Sequence, residues 1–258
     1  MKVKLFLLAG VITLTACTTT PFTGRRQFLM TSVAEEEQMG SQAWEEIQKK
    51  EKLSNNKLYN DAVRRVGKNI AAVTTQYNFE WEFKVFESEQ ANAFCLPGGK
   101  VAVYTGLFKF TDNDAELATV MGHEVAHAIL RHGGERISQG MLQQLGAELL
   151  KINEVSEGWL QAYGIAASGL AILPYSRKHE YEADEVGLIL LARAGYNPNA
   201  ALSFWAKFGK DSKISTIEEL ISTHPMSEKR LEEMRRQLPK VMQSYNQLNQ
   251  KHNLGIVY

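Results

Sequence analysis

Cysteine is nearly absent from this sequence, which has 2 cysteines in 258 residues. Two cysteines cannot build a disulfide framework, so a hydrophobic core has to hold the fold together. An excess charge is also missing, because 29 basic residues balance 29 acidic residues. This balance excludes the electrostatic footprint of a nucleic-acid-binding protein, and we predict no nucleic-acid partner. Hydrophobic residues make up 44% of the chain, which is typical of a globular protein.

The first residues contain an apolar run that is too short to cross a membrane. Leu5–Leu14 has half the roughly 20 residues that a membrane-spanning helix needs. It follows Lys2 and Lys4 and ends in small residues before Cys17, which is the order of a secretory signal. The segment resembles the signal peptide of bacterial lipoproteins, which implies cleavage after residue 16 and lipidation of Cys17. The alternative is a buried N-terminal helix with an incidental cysteine.

The lipoprotein resemblance implies a location in the bacterial periplasm. Several acyl chains on Cys17 would anchor the protein stably to a membrane. Thr18 follows the cysteine in place of an aspartate, which implies the outer membrane. We predict a lipidated polar tether over residues 17–31 and a single domain over residues 32–258. Cys95 is then either a buried small hydrophobe or an intermolecular partner.

Helical periodicity dominates the rest of the chain, with a short β region in between. The predicted helices cover about residues 32–52, 56–73, 111–132, 137–151, 155–173, 176–194 and 198–208, and a charged helix begins near residue 227. Alternation over Phe79–Val85 predicts a strand. Pro97-Gly98-Gly99 predicts a hairpin turn between Ala91–Leu96 and Val101–Phe108, and Gly133-Gly134 is expected to end the central helix. The predicted fold is mainly α with a small inserted β-sheet (α+β).

The predicted central helix contains the sequence His-Glu-Val-Ala-His. His123 and His127 are four residues apart, so their imidazoles lie on one face one turn apart and can bind the same metal ion. Glu124 stands beside the first histidine, placed to take a proton from water rather than to bind the metal. This is the pattern of zinc hydrolases. The alternative, two histidines on a surface helix, conflicts with the apolar residues around them.

A zinc hydrolase site uses three protein ligands and one open position, so a third ligand has to come from elsewhere. The predicted helix near residue 176 offers Glu180 and Asp184, which are four residues apart on one face. Glu182 is expected to point away from that face, although it is an alternative ligand. Three other histidines are expected at the surface: His132, His179 and His252.

These motifs together resemble the M48 metallopeptidases. The His-Glu-Val-Ala-His sequence is followed about 50 residues later by Glu-Tyr-Glu-Ala-Asp, and further matches are Asn92-Ala93-Phe94, Pro97-Gly98-Gly99, Thr223-His224-Pro225 and Arg230. The resemblance covers about residues 30 to 240. It implies a zincin-type peptidase of the soluble, periplasmic lipoprotein type that is BepA-like, without the long transmembrane helices of the HtpX and CAAX prenyl protease branches.

The resemblance implies a role for each matching residue. One Zn²⁺ per chain would be held by His123, His127 and Glu180, and Asp184 would orient a ligand histidine. Glu124 would be the general base.

The family resemblance implies two alternative roles for His224. Pro225 keeps it out of helical geometry, so we expect it in a loop. It would be catalytic by stabilising the oxyanion, or it would close the open position as a fourth zinc ligand. Arg230 would anchor this loop or the catalytic carboxylates, or lie at the surface.

The implied function is zinc-dependent hydrolysis of peptide bonds in misfolded or misassembled envelope proteins. Asn92, Ala93 and Phe94 would bind the substrate through an edge strand, or belong to an ordinary hairpin. The outer-membrane assembly machinery is an implied partner. The main alternative is a non-catalytic or latched zinc lipoprotein that acts as a chaperone for outer-membrane proteins. A weaker alternative is a zinc hydrolase that cleaves a non-peptide bond.

Overall fold

The computed structural model describes residues 17–149, 176–210, 220 and 223–258. The predicted signal peptide at residues 1–16 and the predicted helix over 155–173 lie outside these residues. The described helices are α1 (Val33–Lys50), α2 (Lys57–Ala72), α3 (Asp114–Ile129), α4 (His132–Leu149), α5 (Arg177–Arg193), α6 (Asn199–Lys210) and α7 (Glu228–Asn246). The described strands are β1 (Cys17–Thr19), β2 (Arg26–Phe28), β3 (Glu82–Phe86), β4 (Ala93–Leu96) and β5 (Lys100–Tyr104). The predicted fold class is confirmed.

The inserted sheet has three strands in the order β3-β5-β4. β3 runs parallel to β5, and β4 forms the predicted antiparallel hairpin with it. The turn between them needs Gly98 and Gly99, whose φ angles are 81° and 86°. Side chains alternate across β5, so Val101 and Val103 face the main core while Ala102 packs in a second cluster with residues of α1. The sheet is therefore covered on both faces.

Helix α3 is the centre of the fold, and all of its residues are buried. Asn113 caps it, since its Oδ1 accepts hydrogen bonds from the backbone N–H groups of Ala115 and Glu116. The predicted helix began at about residue 111, three residues before the observed start at Asp114. α5 approaches α3 closely at Gly187, where a Cβ atom would lie 3.2 Å from the Cα of His123. This approach brings the acidic residues of α5 within reach of the histidines of α3.

The prediction that Gly133-Gly134 ends the central helix is wrong. The break lies at Arg131, whose φ of 55° is left-handed, and both glycines belong to α4. Arg131 is held there by tertiary contacts, because its guanidinium donates to both carboxylate oxygens of Glu36 and to the carbonyl of Thr31. A local glycine signal could not reveal these partners.

Residues 17–28, which we predicted to be part of a polar tether, instead form a packed hairpin. β1 pairs antiparallel with β2. The side-chain amide of Gln27 donates to the carbonyl of Leu130 at 3.1 Å, and the backbone N–H of Met30 donates to Ser138 Oγ at 2.7 Å. The segment also carries Arg25, which neutralises buried carboxylates on two helices. We call residues 17–28 the N-terminal hairpin.

Among the residues that the structure describes, none of the helices combines the length and the apolar character needed to cross a membrane.

The contact between α1 and the β4–β5 turn gives a stability prediction. A Cβ on Gly40 would lie 2.5 Å from the carbonyl oxygen of Pro97, which is backbone and cannot swing away. Gly40→Ala should therefore lower the free energy of unfolding by about 1–3 kcal/mol. Gly140→Ala is the control, because its Cβ meets no atom of the described residues within 4 Å and alanine favours a helix by about 0.5–1 kcal/mol. Urea unfolding measures both, and equal stability of the two variants would contradict this packing.

Candidate metal centre

Helices α3 and α5 bring three predicted ligands together in the interior. His123 and His127 face each other on α3, with their Nε2 atoms 3.1 Å apart. Glu180 in the first turn of α5 places its Oε2 3.5 Å from His123 Nε2 and its Oε1 3.4 Å from His127 Nε2. All three side chains are at most 2% exposed.

His224 completes this group from a bend in the chain, as its position before Pro225 predicts. Its Nδ1 lies 3.2 Å from His123 Nε2 and 3.1 Å from Glu180 Oε1. One ligand atom from each of the four residues lies within 4.8 Å of the others. We call His123, His127, Glu180 and His224 the donor cluster.

The spacing of the donor cluster fits a tetrahedral zinc ion. Four N or O donors at about 2.0–2.2 Å from one tetrahedral zinc ion lie roughly 3.3–3.6 Å from each other. The nearest N···N and N···O distances within the donor cluster are 3.1–3.5 Å. Three imidazoles and one carboxylate are also donors that zinc prefers. A bound cation would offset the free-energy cost of burying the Glu180 carboxylate in the interior.

Asp184 and Arg230 surround the donor cluster with a second pair of charges. Asp184 Oδ1 lies 3.1 Å from His123 Nδ1, the nitrogen that faces away from the cluster. Arg230 is 2% exposed and donates two hydrogen bonds of 2.7 Å to the Asp184 carboxylate. It also lies 2.7 Å from Glu180 and donates to the carbonyl of Pro225, so it anchors the His224 loop as well as both acids.

The electrostatic potential of the centre favours a cation. Burial alone lowers the pKa of His123, but the carboxylates of Asp184 and Glu180 outweigh burial and raise it to about 9. Burial alone raises the pKa of Glu180, but the charge of His224 and hydrogen bonds from the other histidines hold it well below its usual value. The carboxylates that raise the pKa of His123 also favour the binding of a divalent ion.

Glu124 lies at the edge of the donor cluster. Its side chain is buried, and its Oε1 is 3.3 Å from His224 Nε2. Burial raises the pKa of this carboxyl above its usual value. A carboxylate next to the metal donors that does not itself belong to the donor set can act as a proton acceptor.

The family model of peptidase family M48 matches residues 57–238. The chain belongs to peptidase family M48. A mitochondrial metalloendopeptidase OMA1 of Schizosaccharomyces pombe is 32% identical over 238 residues, which cover 89% of this chain and 69% of that protein. The OMA1 of Arabidopsis thaliana is 38% identical over 65% of this chain and 33% of its own length. M48 membership and the donor cluster together make this a zinc metalloendopeptidase.

A bacterial relative also matches. The β-barrel assembly-enhancing protease of Escherichia coli strain K12 is 27% identical over 230 residues, which cover 83% of this chain and 46% of that protein. The chain therefore spans about half or less of the length of several M48 relatives, and more than two thirds of the fission-yeast one.

Two histidines predicted at the surface of this M48 chain are buried. His132 is 0% exposed and lies between His127 and Glu182, and His179 is 3% exposed and pairs with Glu135 at 3.2 Å. Glu182 does point away from the donor cluster, but it is 5% exposed and binds His132 rather than solvent. His252 is exposed, as predicted. These partners are distant in sequence, and helical spacing alone did not indicate them.

The three residues predicted to bind substrate are buried. Asn92, Ala93 and Phe94 are 3%, 1% and 9% exposed, because β4 packs against α3 on one face and near α1 on the other. Their side chains are thus in the interior, and β4 itself is at the edge of its sheet. Cys95 is buried beside them, so the expectation of a small core hydrophobe fits.

The Arg230 contacts generate a prediction about stability without metal. Arg230→Met leaves Asp184 and Glu180 buried without their counter-charge, so the free energy of unfolding should fall by about 3–5 kcal/mol. Arg236→Met on the same helix is the control, because Arg236 is exposed and the loss of its ion pair with Glu233 should leave stability nearly unchanged. Urea unfolding of the chelator-treated proteins measures this, and a similar small loss in both would refute the role of Arg230.

Proposed function

We propose that this protein is a zinc-dependent endopeptidase of the bacterial cell envelope that hydrolyses misfolded or misassembled envelope proteins. The observation that carries the proposal is the Glu124 carboxylate, buried beside a donor cluster that fits zinc. A structural zinc site needs four ligands and no additional carboxylate acting as a base. A hydrolase needs that group to move a proton.

Each residue then has a chemical task. Zinc held by His123, His127 and Glu180 would polarise the scissile carbonyl and lower the pKa of a water molecule. Glu124 accepts the proton of the attacking water and delivers it to the leaving amine. The burial that raises the pKa of Glu124 helps with the second half of this task, since a more basic carboxylate holds the proton until the amine takes it.

Substrate would bind along β4 through main-chain atoms. An extended peptide that adds to a sheet edge gains hydrogen bonds from its backbone, with little dependence on its side chains. The position of β4 at the edge of its sheet supports this mode, whereas the burial of Asn92, Ala93 and Phe94 counts against it. Recognition of backbone suits a peptidase that acts on unfolded chains.

A lipid on Cys17 would hold the peptidase at the outer membrane. The resemblance of residues 1–17 to a lipoprotein signal supports this location, and so does the name of the Escherichia coli relative, which refers to β-barrel assembly. The same name supports the outer-membrane assembly machinery as a partner. The names of the mitochondrial OMA1 relatives support the peptidase activity but not the location in the bacterial envelope.

A second candidate function is a latched zinc protein that binds outer-membrane proteins without cutting them. The position of His224 favours it, since its Nδ1 lies among the other donors and would fill the position that a hydrolase leaves open. An oxyanion role for His224 would require the ring to leave this place. The two candidates differ in the effect of removing His224.

Replacement of the base tests the peptidase. Glu124→Gln should keep one zinc per chain, because the donors are untouched, while cleavage of unfolded casein falls by about 10²–10⁴-fold. Glu46→Gln is the matched control on an exposed helix face and should cleave like the parent protein. Metal analysis and peptide mapping of the digest give the readout. Undiminished cleavage by Glu124→Gln would exclude this mechanism.

Replacement of His224 separates the two candidates. If His224 only stabilises the oxyanion, His224→Ala should retain zinc and lose about 10²–10³-fold in kcat. If His224 is a latch, the same variant should retain zinc and cleave faster than the parent. His252→Ala, at an exposed histidine, is the control for both. Zinc content and casein cleavage are measured side by side.

A further inference from the structure

Beyond the donor cluster, a hydrogen-bonded chain leads from His127 towards the N-terminus. The Nδ1 of His127 faces away from the cluster and lies 2.9 Å from Nδ1 of His132. On the far side of that ring, His132 Nε2 lies 3.1 Å from Glu182 Oε2. The metalloenzyme chemistry described above uses neither His132 nor Glu182.

The order of donors and acceptors along this chain is determined by chemistry. When Nε2 of His127 offers its lone pair to a metal, its proton resides on Nδ1 and is donated to His132. His132 must then accept at Nδ1 and carry its own proton on Nε2, where Glu182 accepts it. Each hydrogen bond along the path then has one donor and one acceptor.

Glu182 is held by the N-terminal hairpin. Thr20 Oγ1 donates to Glu182 Oε1 at 2.7 Å, Thr23 Oγ1 donates to the same oxygen, and Arg25 Nε donates to Oε2. Arg25 also makes a two-point contact with Glu135, at 2.9 and 2.6 Å. These donors hold the Glu182 carboxylate in one orientation. Its hydrogen bond then fixes the orientation of the His132 ring.

The other α3 ligand has a similar but shorter arrangement. His123 directs its Nδ1 at Asp184, which Arg230 clamps with two hydrogen bonds. On the Nδ1 side of His127, the ring of His132 stands between this histidine and the carboxylate of Glu182. Both paths therefore end on a carboxylate held by an arginine, and the His127 path is one ring longer.

We propose that His132 and Glu182 are positioning residues for the metal ligand His127, and that the N-terminal hairpin, by holding Glu182, is a structural part of the metal centre. The inference rests on the proposed zinc site and does not depend on cleavage. It predicts that zinc affinity depends on residues that touch no metal, including Arg25, which is 102 positions before His127.

Zinc affinity of the full chain tests this, measured by competition with a fluorescent chelator. His132→Phe keeps the ring volume and removes both hydrogen bonds, and Glu182→Gln removes the charged acceptor. Each should bind zinc about 10–100-fold more weakly than the parent. Arg25→Met should also weaken zinc binding. His132→Gln, whose amide keeps a donor and an acceptor, should recover part of the loss.

The controls make the same chemical changes nearby. Glu185→Gln lies on α5 three residues after Glu182, and Arg26→Met replaces the exposed neighbour of Arg25. Both should bind zinc within about twofold of the parent, whereas the loss of a residue that orients a metal ligand costs about 10–100-fold in affinity. Circular dichroism and metal-free unfolding show that each variant is folded. The visible absorption of bound Co²⁺ gives a second readout, and its bands should shift in His132→Phe but not in the controls.

The outcomes separate this inference from the proposed function. If the parent binds zinc and the folded His132→Phe and Glu182→Gln variants bind it equally well, the positioning role is wrong while the zinc site stands. If the parent binds no zinc, both the proposed function and this inference fall. Loss of affinity in these variants and not in the controls supports the inference, whether or not the parent cleaves casein.

Discussion

The burial of carboxylates next to histidines is the constraint on which the rest of the structure depends. Glu180 and Asp184 reach the histidines of α3 because two helices meet closely at Gly187, deep in the hydrophobic core. Isolated charges at such a place would be prohibitively costly, so each needs a partner that is buried with it. Arg230 supplies that partner from α7, and a metal ion would supply the remaining positive charge.

This requirement connects elements that are far apart in the chain. Arg230 contacts the acids of α5 and also the carbonyl of Pro225, so the charge that stabilises the carboxylates also places the His224 loop over the centre. The geometry of the donor cluster therefore depends on how α7 packs against α5. The central helix contributes rigidity, because a side chain on a fully buried helix has few alternative rotamers.

The same requirement applies to the carboxylates beyond His132. Glu135 and Glu182 are largely buried, and Arg25 from the N-terminal hairpin lies between them. Hydrogen bonds from His179 and Arg25 outweigh burial and lower the pKa of Glu135 to about 2, so it stays ionised. A segment whose composition is typical of a flexible tether is thus ordered by two carboxylates that require its arginine. Its proposed lipid anchor at Cys17 would bring the membrane close to this part of the fold.

The sequence by itself determined what depends on local spacing. The four-residue interval of His123 and His127, that of Glu180 and Asp184, and the glycine turn of the hairpin follow from helical and strand periodicity within a few residues. Tertiary structure alone decided where the other partners lie: the break at Arg131, the burial of His132, and the hairpin around Arg25. Arg25 and Glu182 are 157 positions apart, and no local pattern indicates such a pair. Only the folded chain brings these charges together, because their mutual neutralisation matters once both are removed from water.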